Sequence, residues 1–315
     1  MKERDVAHQG LEGLPFFGEA AVARVLDWAP LMDEIERAMG ALSSGLVAQP
    51  LRQMTAVPGR DAFFAAMAAA GDAIGVKVVT FFHGNAGTEI PTHQAVILLF
   101  DADNGAPIAA LDGRLITEMR TAAASAAAAR KLSVARPEVV TIMGSGVQAR
   151  AHAEALAAVR SCDELRLWAR SEPSGRAVAE AVGAVFVGDA EAAVREADIV
   201  ACTTSAKEPI LLGDWLKPGA FVAAVGWNTP DGRELDDTAM RHTVIVESRE
   251  AARDQSGNVR GSGCEIFAEI GEVYLGERTV PIGRTVIYDS VGVAVLDVAA
   301  AKLAYELLQG DGSLH

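Results

Sequence analysis

Cysteine is scarce in this chain: Cys162, Cys202 and Cys264 stand far apart, with no C-x-x-C among them. Neither a disulfide framework nor a zinc site is suggested by that spacing. Histidine is also sparse, with six residues scattered along the sequence. Basic residues are the minority charge, 28 against 42 acidic ones, for a formal net charge of -14. That balance argues against nucleic acid or an anionic membrane surface as the main partner. It leaves room for small anions, because a few local arginines can dominate a pocket. No apolar run reaches membrane-spanning length, and the opening Met1-Lys-Glu-Arg-Asp5 leads into no apolar signal segment. These absences lead to the expectation of a soluble protein in the reducing cytoplasm.

What is present is ordinary for a globular chain: half the residues are hydrophobic and 22% are charged. A length of 315 residues exceeds what one core usually serves and predicts two domains. Helical spacing appears over Glu19 to Asp27 and Leu31 to Leu42, with Pro30 suited to a first turn and Gly45 to a stop. Strand-like segments follow at Leu46 to Thr55, Ala62 to Ala69, Ala73 to Phe81, Gln94 to Phe100 and Pro107 to Leu111. Turn signals such as Pro58-Gly59, Gly84-Asn85 and Asn104-Gly105 separate them, predicting a mainly antiparallel sheet. An alanine-rich helix over Thr117 to Leu132 comes next. From Val139 onward strands and helices alternate, as in a parallel sheet with right-handed crossovers. Ser290 to Leu308 reads as a last amphipathic helix returning to cover the first domain.

The parallel half opens on its most informative stretch. Val139-Val-Thr-Ile142 reads as a buried strand, Gly144-Ser145-Gly146-Val147-Gln148-Ala149 as a glycine turn, and Arg150 to Val159 as a helix. Strand, G-x-G-x-x-A turn and helix together form the dinucleotide-binding pattern. Gly144 permits the tight turn and Gly146 a close approach of backbone to pyrophosphate. Ala149 lets helix pack on strand, and the helix N-terminus offers N–H groups to the anion.

Several stretches then carry a resemblance: Gly75-Val-Lys77-Val-Val-Thr80, Pro91-Thr-His93-Gln-Ala95, Leu98-Leu-Phe-Asp101 and Ile116-Thr-Glu-Met-Arg120. The glycine turn, Arg233-Glu-Leu-Asp236 and Ser290-Val291-Gly292 complete the set. In this order and spacing the chain resembles the ornithine cyclodeaminase/mu-crystallin family over nearly its whole length. The resemblance implies an α/β protein. A Rossmann-type doubly wound domain spans 118–289, and an α+β substrate and dimerisation domain is formed by 1–117 and 290–315. It also implies a homodimer, a nicotinamide cofactor and a small amino- or imino-acid substrate. Activities within the family range from cyclodeamination of ornithine through imine reduction and alanine dehydrogenation to hydroxyproline dehydration. Some members bind thyroid hormone.

By the same resemblance, Arg52, Lys77 and Arg120 match the positions that hold the substrate α-carboxylate. Two of them also stand out on their own. Lys77 interrupts an apolar strand, where an unpaired ammonium is costly and a ligand carboxylate would resolve the cost. Arg120 is placed early in its helix, where the dipole disfavours a cation unless an anion is near. A desolvated Lys77 beside two arginines should also have a lowered pKa suited to proton exchange.

About twenty residues past the glycine turn, where NAD binders place an acid, this sequence has Arg170 and Ser171, with Arg176 following. That substitution favours NADP(H) over NAD(H). Thr203, Thr204, Ser290, Val291 and Gly292 are expected along the cofactor. At Asn228 ornithine cyclodeaminases carry an aspartate. The amide cannot take up a proton, which favours reduction over deamination. His83 and His93 read as framework residues, and 247–272 as a mobile glycine-rich loop. The expected activity is NADPH-dependent reduction of a small cyclic imino acid. The alternatives are ornithine cyclodeaminase with bound NAD, hydroxyproline dehydratase, and a mu-crystallin-like binding protein.

Overall fold

A computed structural model describes residues 13–227 and 229–310. Its first part runs β1 (Phe16–Phe17), α1 (Glu19–Val25), α2 (Trp28–Ser43), β2 (Gln53–Ala56) and β3 (Ala62–Ala70). It continues through β4 (Ile74–Phe82), β5 (His93–Phe100), β6 (Pro107–Asp112) and α3 (Gly113–Leu132). The six strands form one sheet in the order β1-β6-β5-β4-β3-β2, antiparallel except where β1 runs beside β6. Helix α2 stops where expected: Gly45 adopts φ +77° and the Leu46 N–H reaches back to Ala41 O.

Two expectations fail here for identifiable reasons. The strand expected over Leu46 to Thr55 contracts to β2 and one bridge, Ala48 to Ala70. Pro50, which has no N–H to donate, lies between them. Arg52 therefore sits on the irregular approach to β2. Helix α3 begins four residues earlier than expected, because the Asp112 carboxylate caps it by accepting from the N–H groups of Arg114 and Leu115. Arg120 thus lies about two turns inside, where the helix dipole no longer acts appreciably.

The second part runs β7 (Val139–Met143), α4 (Val147–Val159), β8 (Glu164–Trp168), α5 (Glu172–Val182), β9 (Val185–Phe186), α6 (Ala190–Val194) and β10 (Ile199–Cys202). Then come β11 (Phe221–Ala224), β12 (Thr243–Val246), α7 (Arg249–Gln255), α8 (Gly257–Ser262), β13 (Ile266–Glu269), α9 (Ile270–Tyr274), β14 (Val286–Asp289) and α10 (Ala294–Gly310). Eight strands form an all-parallel sheet in the order β13-β12-β14-β11-β10-β7-β8-β9. The β-branched strands are buried throughout, as a doubly covered sheet requires. The stretch 247–272 is not a loop: α7, α8, β13 and the start of α9 occupy it, with Ser248 and Ser256 capping the first two helices. The last helix starts at Ala294 rather than Ser290, because Gly292 at φ +79° belongs to a turn.

Helix α10 leaves the parallel sheet and packs back on α2, α3 and β3 to β5. The buried alanines of α3, Ala122–Ala124 and Ala126–Ala129, let α2, α4 and α10 approach closely. Helices cover one face of the six-stranded sheet. On the other, Ile74, Val76, Leu98 and Phe100 remain half-exposed and Phe64 is 43% exposed.

One buried histidine ties α3 to α4. His152 lies with Nδ1 2.8 Å from Gln148 O and Nε2 2.9 Å from Ser125 Oγ. Donation from Nδ1–H and acceptance from the Ser125 hydroxyl satisfies a neutral ring, and burial pushes its pKa down to about 4. Folding therefore excludes a proton that the unfolded chain binds near pH 6.5. The contribution is full above that pH and is lost as pH falls toward 4, amounting to about 3 kcal/mol. The stability gap between wild type and His152→Gln in denaturant titrations should narrow from pH 7 to pH 4.5. A gap independent of pH would refute the neutral ring.

Candidate active site

The glycine turn lies where the strand order reverses. The chain runs from β7 outward through β8 and β9, then returns to β10 on the other side of β7. Ligands of such sheets bind outside the strand C-termini at that crevice. Gly144 donates its N–H to Trp168 O at 2.8 Å and adopts φ +138°. A Cβ there would lie 2.5 Å from Thr203 Oγ1, so only glycine fits. A Cβ at Gly146 would meet nothing within 4 Å, so open space borders the turn. Helix α4 begins at Val147 with no side-chain cap from Gly146, which leaves its first N–H groups available to an anion. Ser145 and Gln148 are half-buried beside the turn, and Ala149 is fully buried against the sheet. A pyrophosphate fits this cradle.

The hydroxyl protons of Thr203 and Thr204 are committed within the protein. The Thr203 hydroxyl donates to Met143 O at 3.0 Å, and the Thr204 hydroxyl and N–H both donate to Glu234 Oε1 at 2.7 Å. Their hydroxyl protons hold the crevice together, so backbone and lone pairs are what they can offer a cofactor. Arg170 and Ser171 are exposed just past β8, the strand beside the glycine turn. Arg176 is paired with Glu172 at 2.8 Å and stacks over Phe186 with 4.9 Å to the ring centre.

Three separate elements bring Arg52, Lys77 and Arg120 together. Lys77 comes from β4, Arg120 from α3 and Arg52 from the approach to β2. Each arginine lowers the pKa of Lys77, and Arg120 lowers that of Arg52. Lys77 is 2% and Arg120 5% exposed. The partner that resolves the buried ammonium is internal: Lys77 Nζ lies 2.7 Å from Asp297 Oδ2, and Arg120 Nε donates to Asp297 Oδ1 at 2.8 Å. Lys77 Nζ also donates to Thr117 Oγ1 at 3.4 Å. Burial, partly opposed by Asp297, pushes the Lys77 pKa down to about 8. Arg120 Nη1 is buried with no hydrogen-bond partner among the described residues. Arg52 and Gly292 line a cavity of about 830 Å³, and the Arg120 guanidinium lies directly behind Gly292.

Three acids escaped the sequence reading. Asp297 is the lone charge in Val295-Leu-Asp-Val-Ala-Ala-Ala301, the same signal that singled out Lys77. Glu247, at the end of β12, accepts from Ser290 Oγ and from the Gly292 N–H, both at 2.8 Å, and so pins the turn that leads into α10. Glu234 accepts also from the Gly226 N–H at 2.8 Å, clamping the loops after β10 and β11. Burial raises its pKa to about 7 against those donors. His83 is exposed, with its ring edge against Phe81. His93 is half-buried on β5, and burial with the nearby Lys77 charge holds its pKa near 4. Asn228 lies outside the described residues.

A parallel Rossmann-type sheet with a phosphate-sized turn at its reversal point, joined to an antiparallel sheet holding buried cations, defines an α/β protein of the nucleotide-binding type. The chain belongs to the ornithine cyclodeaminase/mu-crystallin family, which residues 18–312 match. It is 43% identical over 285 residues to the ketimine reductase mu-crystallin of Mus musculus, covering 88% of this chain and 91% of that one. It is 36% identical over 264 residues to a Delta(1)-pyrroline-2-carboxylate reductase of Bacillus cereus, covering 77% of this chain and 80% of the relative. The structure of the Thermococcus litoralis Delta(1)-pyrroline-2-carboxylate reductase, in complex with NADH and L-proline, superposes with a TM-score of 0.89. That likeness is at 29% identity and covers 95% of this chain and 98% of the other. No helix among the described residues is long and apolar enough to cross a membrane.

Proposed function

We propose that this protein reduces a small cyclic imino acid of the Δ1-pyrroline-2-carboxylate or Δ1-piperideine-2-carboxylate type with NADPH. The observation that carries the reading is the convergence of Arg52, Lys77 and Arg120. Their three charges gather among the carboxylates of Asp297, Glu247 and Asp254, and Nη1 of Arg120, buried without a partner among the described residues, suits one substrate carboxylate. The named relatives, both imine reductases, support the same class.

Arg52, Lys77 and Arg120 hold the carboxylate, with Nη1 of Arg120 available to it. A nicotinamide held along the glycine turn would supply the hydride for the imine carbon. Lys77 gives a proton to the imine nitrogen, so that C=N becomes CH–NH. Fixing the substrate by its carboxylate keeps the reacting atoms in a near-attack arrangement. Gly144, Ser145, Gly146, Val147, Gln148 and Ala149 receive the pyrophosphate. Arg170 and Ser171 receive the 2′-phosphate, with Arg176 near them, and Thr203, Thr204, Val291 and Gly292 border the nicotinamide side. Asn228, neutral where a deaminase needs an acid, fits reduction.

We also assign 1–117 with 290–315 to a substrate and dimerisation domain and 118–289 to a nucleotide domain. The uncovered apolar face around Phe64, Val76 and Phe100 fits a second copy, making a homodimer. Three free thiols suit the cytoplasm.

Oxidation of NADPH and NADH, measured against cyclic imines, pyruvate with amines, and ornithine, tests the reading. Turnover of a cyclic imine with NADPH is expected. Ammonia release from ornithine, or no turnover with any imine, refutes it. Arg170→Asp should weaken NADPH by about tenfold to a hundredfold in KM, the scale of one or two charge-assisted contacts, while leaving NADH nearly unchanged. A preference for NADH in the wild type overturns the assignment of Arg170.

A further inference from the structure

The proposed reaction leaves Asp297 without a role, although it is fully buried and touches both Lys77 and Arg120. We infer that Asp297 is the positioning residue of the anion pocket: it holds Lys77 as an ammonium and aims the free edge of Arg120 at the substrate carboxylate. This rests on the reductase reading for its consequence in turnover but not for its effect on Lys77.

The geometry divides the two tasks between the two carboxylate oxygens. Oδ2 faces the Lys77 ammonium at 2.7 Å, and Oδ1 accepts from Arg120 Nε at 2.8 Å. Using Nε for Asp297 rotates the guanidinium so that Nη1, buried and without a partner among the described residues, remains for a ligand. A planar guanidinium held by one edge presents its other donors in a fixed direction, which a flexible lysine in its place could not do.

The groups facing Lys77 come from every element around it. Asp297 on α10 is the negative one in contact. Arg120 on α3, Arg52 before β2 and, when protonated, His93 on β5 are positive, and Thr117 on α3 is neutral. Without Asp297, desolvation and the two arginines would act on the ammonium unopposed. An uncharged amine gives neither a proton to an imine nitrogen nor an attraction to a carboxylate. The acid is also well supported. It lies one turn into α10, whose entry turn is pinned by Glu247 through Ser290 and Gly292. The Val295 N–H donates to Gln49 Oε1 at 3.0 Å, tying the same turn to the segment that carries Arg52. Asp297 thus fixes the pocket relative to the strand ends where the cofactor cradle lies.

The test is the titration of Lys77 in Asp297→Asn, followed by NMR of 13C-labelled lysine and assigned with Lys77→Met. Removing the contacting anion should move that titration down by about one to three pH units. In pyrroline-2-carboxylate reduction, the alkaline fall of kcat/KM should move down equally, with kcat/KM at pH 8 reduced by at least about fivefold. Asp297→Glu keeps the charge but displaces it. It should leave the Lys77 titration within half a unit of wild type while raising KM about tenfold through a misaimed Arg120, and it serves alone if Asp297→Asn does not fold. A Lys77 titration unmoved in Asp297→Asn overturns the inference. So does an Asp297→Glu variant with wild-type titration and wild-type KM. A wild type whose Lys77 titrates as described, and shifts in Asp297→Asn, yet which reduces no imine, refutes the proposed reaction and leaves the role of Asp297 standing.

Discussion

Lys77→Met is expected to lower kcat/KM for a cyclic imino acid by about three to four orders of magnitude. General acid catalysis by a placed side chain contributes roughly a hundredfold to ten-thousandfold, and the lost carboxylate contact adds to it. Methionine matches the lysine stem in length and apolar character, so the β4 core should persist. The effect should therefore divide between kcat and KM rather than appear as lost protein. The pH profile is the sharper readout. Burial places the Lys77 pKa near 8, and the reaction needs the protonated form. Wild-type kcat/KM should accordingly be level below pH 8 and fall about tenfold per unit above it. In Lys77→Met that fall should vanish. A wild-type and variant profile of the same shape would remove Lys77 from proton transfer.

Gly144→Val is expected to abolish measurable NADPH binding, with a loss of at least a hundredfold in Kd by fluorescence titration. Two independent penalties act at that position. The backbone at φ +138° is one that side-chain-bearing residues rarely adopt, costing about 1–3 kcal/mol. Even the first added carbon would fall 2.5 Å from Thr203 Oγ1 and 3.0 Å from Thr203 O, at the crevice between β7 and β10. Relief requires the turn or Thr203 to move, and either displaces the cradle. Gly146→Ala provides the contrast, because its Cβ meets open space in the protein and only a bound pyrophosphate would oppose it. Loss of NADPH binding with unchanged melting temperature in Gly146→Ala would locate the phosphates at this turn. Unimpaired binding in both variants would exclude them from it.

Legibility in the sequence followed the strength of local signals. β7, β10 and β12 were visible because a doubly covered parallel sheet demands strands rich in β-branched residues, and β8 and β11 by their place in the strand–helix alternation; Ile199–Cys202 came out residue for residue. The 247–272 stretch was misread because its helices are short and α8 carries two glycines and a serine in six residues. Their stability comes from Ser248 and Ser256 caps and from packing, which local propensity does not contain. β13 and β14, four residues each, were too short to stand out in the sequence. At the site, Lys77 betrayed itself by interrupting apolar sequence. Asp297 carries the same signal, but the charge was absorbed into the amphipathic reading of the last helix. Its pairing across 220 residues of sequence, from Lys77 to Asp297, is set by the return of α10 and by nothing local. The dipole argument for Arg120 did not hold: the helix starts earlier, and a carboxylate rather than a dipole decides its environment.

The return of α10 also has a consequence for how the chain comes into being. The six strands of the first sheet are complete once Asp112 has been synthesised, yet the helix that covers β3, β4 and β5 begins only at Ala294. At usual rates of synthesis the ribosome needs roughly 10–40 s to make the intervening stretch of about 180 residues. During that time Lys77 has no Asp297, and the apolar face that α10 will close is open to water and to other chains. The parallel sheet can fold in the interval, so a helix made after that sheet is the one that finishes the first-made part. A nascent chain arrested before Ala294 should then bind chaperones through its first hundred residues. One released after Gly310 should not.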